Sequence, residues 1–375
     1  MINSVYGVAS LISRGAEPQD IIDVMKGKGR EWESISRFML NVANQCTKLY
    51  HHDAAERVLN LILELSREKG DKASEGDCLT RMGRLMWSKE RGDDAVKCYS
   101  EAAAIYGELG DLLNLGSVHF HISTILWLMD DLEKALKHSE QAYQAIQNVE
   151  KDGVLEVLVR MGDILFGMQR YEKAYKKYQE ALRLSEELED TKTKGVCLWE
   201  IGVIHERLGR LDEALESYFE AAKIKEEIHD GVEEPLCRIR VGTVLLKLGK
   251  VGEALEQFNK AFTISREEGS QPGEAITLFH IGVSNIMLKN DQRVVEAFEK
   301  AIQIFERWYT RVHLLVALNI YLDYLLSRGE KDRAEEILNK ISQFKIEDSS
   351  EEGSEQKRMV NERIEEMRKI LKAEK

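Results

Sequence analysis

Proline, cysteine and long apolar runs are all scarce in this chain of 375 residues. With only 3 prolines, long helices meet few of the residues that break them. The 5 cysteines lack C-x-x-C spacing, and their odd number and scatter favour buried, reduced thiols over a disulfide framework. No stretch of 18 apolar residues occurs, so the sequence gives no sign of a membrane-spanning helix.

Basic residues are fewer than acidic ones, 53 against 66, and this imbalance limits the class of partner that the chain can bind. The net charge of -13 opposes general binding to nucleic acids or anionic membranes unless a local basic patch overrides it. With 43% hydrophobic and 32% charged residues, the composition is typical of a folded chain of amphipathic helices. The N-terminal residues lack the basic start of a signal peptide, so we expect a cytoplasmic protein.

An internal repeat dominates the sequence. Five glycines are separated by 79, 40, 40 and 40 residues: Gly83, Gly162, Gly202, Gly242 and Gly282. Ala43 and Ser123 occupy the same register. Twelve residues after these anchors stands a column of alanines: Ala95, Ala135, Ala174, Ala214 and Ala254. Four residues further on stands an aromatic column, whose last member follows Val294 in the place of an alanine: Tyr99, Tyr178, Tyr218, Phe258 and Phe298.

The small residues in these columns have a physical explanation. A glycine in a helix interior costs about 1 kcal/mol relative to alanine, so its recurrence predicts close helix packing at Gly202 and its equivalents. Apolar residues at helical spacing predict one helix over 194–208 and, after a break at Gly209, a second over 211–228. Each repeat is therefore predicted to be one helix hairpin. Short acceptor side chains suited to cap a helix start recur at the repeat junctions: Asp71, Asp111, Asp190, Asp230 and Ser270.

At these columns the sequence resembles tetratricopeptide repeats, in which Leu and Gly of a first helix precede Ala and an aromatic residue of a second. Leu198, Gly202, Ala214 and Tyr218 match that pattern. The resemblance covers residues 34–344 and implies an all-α, right-handed superhelical α-solenoid of about eight antiparallel helix hairpins with terminal capping helices. The period of 40 rather than 34 residues resembles the long repeats of signalling scaffolds and kinesin light chains.

Each end of the array carries a different kind of segment. Residues 1–33 are predicted to form a degenerate hairpin, an N-terminal helical cap on the first repeat. Residues 345–356 read as an acidic, Ser-rich hinge, and an apolar stripe predicts an amphipathic helix over 357–375. That helix would either cap the last repeat or serve as an arm that occupies the groove or pairs with a second copy of the chain.

Residues able to carry chemistry are few. The sequence has no phosphate-binding loop, zinc-protease motif or nucleophile elbow, so we predict no enzymatic activity, no cofactor and no metal site. His119 and His121 are two residues apart on a predicted helix and should point in different directions, which is wrong for joint metal ligation.

The family resemblance implies that the first helix of each hairpin lines a concave groove, with positions two before and one or four after each anchor facing a partner. Most of the residues we select at these positions are cations, amides and aromatics, and one is a carboxylate: Asn41, Asn44, Arg81, Arg84, Trp87, His121, Trp127, Arg160, Asp163, Phe166 and Arg240. We predict that the N-terminal half of the groove binds an acidic peptide segment, with Arg81, Arg84 and Arg160 pairing its carboxylates and tryptophans giving apolar anchorage. The structural alternative is that these arginines pair with carboxylates of neighbouring repeats, while Trp87 and Trp127 belong to the core.

Three functions stay open at this point. The leading one is a non-catalytic scaffold or adaptor that binds a protein or peptide partner. The second is a peptide-responsive regulator that changes shape on binding, as in bacterial solenoid sensors of similar length that the chain resembles. The third is binding of single-stranded nucleic acid, with bases stacked on Trp87, Trp127 and Phe166 beside the arginines.

Overall fold

The computed structural model describes residues 4–308 and 311–342, and these fold almost entirely into α-helices. The described helices are α1 Val5–Ser13, α2 Pro18–Gly27, α3 Trp32–Lys48, α4 His52–Lys69, α5 Lys72–Ser88, α6 Gly92–Leu109, α7 Leu112–Leu128, α8 Leu132–Ile146, α9 Lys151–Gly167, α10 Tyr171–Glu187, α11 Thr191–Arg207, α12 Leu211–Glu227, α13 Glu233–Lys247, α14 Val251–Glu267, α15 Gln271–Met287, α16 Asp291–Arg307, α17 Arg311–Ser327 and α18 Lys331–Ser342. No strand occurs in the described residues, and the predicted all-α class is confirmed.

The helices that follow the short pair α1 and α2 form eight hairpins in the described residues, from α3–α4 to α17–α18. Contacts run between helices adjacent in sequence, and the first helices of neighbouring hairpins also touch, as α3 with α5 and α7 with α9. Such contacts between near neighbours are typical of a solenoid. The predicted fold class is therefore confirmed, and the helix predicted over 211–228 corresponds to α12.

The described helices group into two compact units, and the division falls within α11, between Cys197 and Leu198. In the first unit, α1 packs on α3, where Ile12 and Met39 are fully buried. The core of the second unit includes Phe298 and Leu318, which are also fully buried. Each unit thus has its own apolar interior, built by stacking hairpins.

The repeat glycines lie where the two helices of a hairpin come closest. A Cβ atom added to Gly162 would lie 2.6 Å from the ring of Tyr178, and one added to Gly242 would lie 2.5 Å from the ring of Phe258. Gly83, Gly202 and Gly282 face Tyr99, Tyr218 and Phe298 in the same way. The alanine column is fully buried: Ala95, Ala135, Ala174, Ala214 and Ala254. The glycine and aromatic columns of the sequence are therefore the two sides of one repeated contact.

The five predicted helix caps are confirmed. Each side chain accepts a hydrogen bond from the backbone N–H three residues later, over 3.0 to 3.3 Å: Asp71, Asp111, Asp190, Asp230 and Ser270. These bonds satisfy amide groups that a helix start leaves without partners. The acceptors therefore mark where the first helix of a hairpin begins.

A buried ionic network in the second unit escaped the sequence analysis. The Arg238 guanidinium donates to Glu234 over 2.7 Å and to Glu226 over 2.8 Å, and it lies 3.3 Å from the Gln257 side-chain oxygen. Arg238 and Glu234 are both only 7% exposed. Buried charges need partners of this kind because leaving water costs several kcal/mol for each ion.

The predicted hinge over 345–356 and helix over 357–375 lie outside the described residues. The predicted boundaries of the N-terminal cap at 1–33 and of the repeat array at 34–344 stay predictions. Among the residues that the structure describes, no helix combines the length and the apolar character needed to cross a bilayer.

Candidate functional site

The candidate site is one side of the first unit, where the first helices of successive hairpins present partly exposed polar and aromatic residues. We call the exposed faces of α3, α5, α7 and α9 the first-helix surface. On it, an Arg84 guanidinium nitrogen lies 3.5 Å from the side-chain oxygen of Asn44, which links α5 to α3. Asn41 is exposed one turn earlier on α3. The predicted amides and arginines of the first two hairpins are thus neighbours.

Arg81 and Arg84 lie on α5 without a carboxylate partner. Neither guanidinium has a described carboxylate oxygen within the 4.0 Å of an ion pair. Burial lowers the pKa of Arg81, and the nearby Asp77 carboxylate partly opposes that shift. For these two arginines, the structural alternative of pairing with neighbouring repeats does not hold. Neither positive charge is matched by an ion pair in the described residues.

Arg160 on α9 is held by its surroundings. Its guanidinium lies 4.3 Å from the ring centre of Trp127 on α7, a cation–π contact. It also pairs with Asp163 over 3.3 Å, and the Tyr178 hydroxyl donates to Asp163 over 2.6 Å. Burial raises the pKa of the Asp163 carboxyl, while the Tyr178 and Arg160 contacts act in the opposite direction. Arg160 therefore does have a carboxylate partner, which lies on its own helix rather than in a neighbouring repeat.

The aromatic members of the predicted set differ in exposure. Trp87 is 39% exposed on α5, so it is not a core residue. Trp127 is partly buried under Arg160, and Phe166 packs edge-on against Tyr171 with ring centres 5.4 Å apart. Trp87 is therefore the indole best placed to contact a partner.

The side chain of His121 on α7 packs against Tyr99 of α6 rather than pointing into solvent. Its ring lies 5.2 Å from that of Tyr99, the aromatic residue opposite Gly83. Burial and the positive charge of Arg84 lower the pKa of His121, so it is neutral at pH 7. Its role is in packing against Tyr99 rather than in charge recognition.

Arg240, the last member of the predicted set, belongs to the second unit and is described separately. Its guanidinium lies 5.8 Å from the ring centre of Trp199, and Trp199 packs edge-on against Tyr218. The pairing of an arginine with an indole thus occurs in both units.

A cavity between α7, α9 and the start of α11 contains residues that the sequence analysis missed. It has a volume of about 470 Å³, and its wall includes Phe120, Asp152, Glu156 and Arg160. Phe120 lies three residues before Ser123, and Glu156 lies six before Gly162. The register of the repeat could have identified both, because these residues lie one or two turns before the anchor on the same helix.

The histidines of α7 point apart, as predicted. His119 turns towards α8, where its Nδ1 lies 3.1 Å from Nδ1 of His138. Burial, together with His138, lowers the pKa of His119 to about 4. No cluster of three or more His, Cys, Asp or Glu side chains suited to a metal ion occurs in the described residues.

Solved structures share this fold over most of their length. RapI in its apo form has a TM-score of 0.66 at 14% identity, covering 90% of this chain and 94% of that one. The apo form of the quorum sensor NprR from B. thuringiensis has a TM-score of 0.57 at 13% identity, covering 89% and 95%. Aspartyl phosphate phosphatase F from Bacillus subtilis has a TM-score of 0.56 at 17% identity, covering 91% and 92%. At these identities the likeness concerns the fold alone, and no curated protein matches the sequence.

The sequence itself matches a family model described as tetratricopeptide repeat. The match covers residues 78–148, 153–227 and 236–307, which together make up more than half of the chain. The recurring glycine–aromatic contacts, from Gly83 with Tyr99 to Gly282 with Phe298, lie within the matched residues. The chain therefore belongs to the tetratricopeptide repeat family.

Proposed function

We propose that this chain is a non-catalytic adaptor or scaffold that binds a peptide segment of a partner protein on the first-helix surface. One observation carries the proposal: Arg81 and Arg84 have no carboxylate partner, and Trp87 beside them on α5 is 39% exposed. Arginine and tryptophan are the residues that most often dominate the binding energy of protein interfaces. A stack of hairpins also offers the extended surface that repeat proteins use for binding.

The part of the peptide that meets α5 is acidic. A carboxylate can accept two parallel hydrogen bonds from a guanidinium, and such charge-assisted bonds are about twice as strong as neutral ones. An acidic side chain would also relieve the mutual repulsion of Arg81 and Arg84, which lie three residues apart on one helix face.

Peptide selection tests the proposal without knowledge of the natural partner. Random 12-residue peptides displayed on phage are selected on the full chain, and their affinities are measured by fluorescence anisotropy. Replacing both arginines, Arg81→Glu with Arg84→Glu, should weaken the selected acidic peptides about tenfold or more, because two attractive pairs become repulsive. The charge-preserving pair Arg81→Lys with Arg84→Lys is the matched control and should retain most of the affinity.

Two results would contradict the proposal. One is a selection that returns no peptide with affinity for the folded chain. The other is an unchanged affinity in the double glutamate variant, with circular dichroism showing that the helices are intact. Arg160 is unsuitable for this test because its replacement would also strip Asp163 and Trp127 of their contacts.

A peptide-responsive regulator is a second candidate. Its support is the fold likeness to the quorum sensor NprR, which covers 89% of this chain. Small-angle scattering with a selected peptide separates the two functions. A regulator should change its radius of gyration on binding, whereas an adaptor that binds without rearrangement should keep the value of the free chain.

Binding of single-stranded nucleic acid finds less support. Arg160 is already paired with Asp163, and Asp152 and Glu156 lie in the cavity wall beside it. These carboxylates reduce the positive potential that a phosphate backbone needs. A filter-binding assay at low salt should therefore show no retention of a 20-nucleotide single strand.

A further inference from the structure

We infer that the first-helix surface recognises a bipolar segment of a partner protein. In this segment an acidic residue and a basic residue, in either order, are separated by about six residues. This inference rests on the proposed function and adds the chemistry of the partner at a second point. The two points are the arginine pair Arg81 and Arg84 on α5 and the cavity between α7, α9 and α11.

The cavity carries an excess of negative charge. Asp152 and Glu156 lie in its wall, one helical turn apart on α9, and both side chains are exposed. Neither has a described cation within 4.0 Å, and Lys151, which precedes Asp152, pairs instead with Glu187 of α10. Two like charges at this spacing repel each other on a helix. A cation between them would remove that repulsion.

The positive charge in the cavity wall is already neutralised. Arg160 pairs with Asp163 over 3.3 Å and lies against Trp127, so Asp152 and Glu156 leave the cavity wall with a net negative charge. Phe120 and Leu155 add apolar wall on either side. A volume of about 470 Å³ with an apolar wall and two free carboxylates fits the alkyl stem and charged head of a lysine or arginine.

Two opposite charges on one surface impose an order on what binds there. The unpaired arginines lie on α5 and the unpaired carboxylates lie on α9, with α7 between them. A uniformly acidic segment would satisfy α5 and be repelled at α9, because like charges meet there. A uniformly basic segment would be attracted at α9 and repelled by the arginines of α5. Only a segment with both charges complements both points.

The repeat geometry sets the spacing of the two charges. Taking about 9 Å, a typical distance between packed helices, for each step from α5 to α7 and from α7 to α9 gives a separation of about 18 Å between α5 and α9. Relative to their anchors Gly83 and Gly162, the carboxylates lie about seven residues closer to the helix start than the arginines, an offset of about 11 Å along the helix. The diagonal is about 21 Å, which an extended peptide at about 3.3 Å per residue spans in about six residues.

Designed peptides test the charge order and the spacing. The probe is a fluorescein-labelled peptide in which two glutamates and two lysines flank a spacer of serine and alanine with one central leucine, so that the centres of the two charge pairs lie about six residues apart. It is made in both chain directions. Controls replace the lysines by glutamine, replace the glutamates by glutamine, or shorten the spacer to two residues. In the better direction, the six-residue probe should bind at least fivefold more tightly than each control at 50 mM salt, and the advantage should shrink at 500 mM salt.

A matched pair of protein variants locates the basic end of the probe. Asp152→Asn with Glu156→Gln should reduce binding of the bipolar probe to the level of the lysine-free control and leave that control unaffected. Glu108→Gln with Glu140→Gln changes the net charge equally on the exposed faces of α6 and α8 and should have no such effect.

The outcomes separate this inference from the proposed function. If phage selection and all probes give no binding, the proposed function fails and the inference fails with it. If the lysine-free or short-spacer probe binds as tightly as the bipolar one, the inference is overturned while peptide binding stands. Equal loss in both protein variants would also overturn it, because a general charge effect would then explain the data.

Discussion

The contact between an anchor glycine and its ring can be tested with a single methyl group. In Gly162→Ala, the new Cβ would lie 2.6 Å from the ring of Tyr178, about 1 Å inside an ordinary van der Waals contact. Tyr178 is 1% exposed, so the ring has no open space to enter. Its hydroxyl also donates to Asp163 over 2.6 Å, and a shift of the ring would strain that bond.

Two effects of opposite sign decide the magnitude. Alanine in place of glycine in a helix interior gains about 1 kcal/mol. Overpacking a filled core costs about 1 to 3 kcal/mol, and weakening a hydrogen bond to a carboxylate adds about 1 kcal/mol or more. We therefore expect Gly162→Ala to destabilise the hairpin of α9 and α10 by about 1 to 3 kcal/mol. The contact with Tyr178 outweighs the gain in helix propensity.

Hydrogen exchange of the amides in α9 and α10 is the suitable assay, because long repeat arrays need not unfold in a single step. Gly107→Ala on α6 is the control, since a Cβ there meets no atom within 4 Å. That change should stabilise its helix by about 0.5 to 1 kcal/mol. In a Tyr178→Ala background, Gly162→Ala should also become neutral or stabilising, because the ring is gone. An equal penalty with and without the ring would refute the reasoning.

Three further outcomes follow from the structure. Arg238→Ala should lower the unfolding free energy of the second unit, measured by thermal unfolding, by about 3 to 5 kcal/mol, because it leaves Glu234 buried without its partner. The double variant Arg238→Met with Glu234→Leu should recover most of that loss, because it removes both buried charges. Acid should destabilise the fold between pH 6.5 and 4, because burial lowers the pKa of His119 and of His280 to about 4, so that the unfolded chain takes up protons first. The loss at pH 5 should be about 1 to 2 kcal/mol for each histidine, and His280→Phe should flatten the slope of unfolding free energy against pH. Asp111→Ala should lower the urea midpoint by an amount equivalent to about 1 kcal/mol, while Asp111→Asn, which keeps an acceptor, should change it little.

The helix and the face of most candidate-site residues could be predicted from the sequence, but not whether each side chain ends in solvent or against a neighbour. The register of the repeat located Arg81, Arg84 and Trp87 on one face of α5, where Arg84 and Trp87 are exposed and Arg81 is partly buried, because side chains three and four residues apart share a helix face. The same register placed His121 with them, yet its ring packs against Tyr99. Register assigns a direction to a side chain, but whether it ends in solvent or against a neighbour depends on the sizes of residues on the next helix.

Which charged side chains pair with each other could not be predicted from the sequence, for the same reason. Arg81 and Arg160 occupy equivalent positions, yet only Arg160 has a carboxylate three residues later, at Asp163, and an indole from the preceding hairpin beneath it. The network around Arg238 joins α12, α13 and α14 through side chains that no periodic pattern relates. Such contacts arise only when separate helices are brought within a few ångströms.

The sequence by itself determined the class and the hairpin. A glycine, an alanine and a ring at constant intervals require two helices in close contact, and capping residues at the junctions mark where each hairpin begins, because both signals act within a few turns of one repeat. The tertiary structure alone decided which charged side chains on the first-helix surface form ion pairs within the described residues and which do not. Carboxylates pair Arg160 but not Arg81 or Arg84, and a cavity gathers Asp152 and Glu156, since electrostatic pairing depends on distances across helices that the order of residues does not specify.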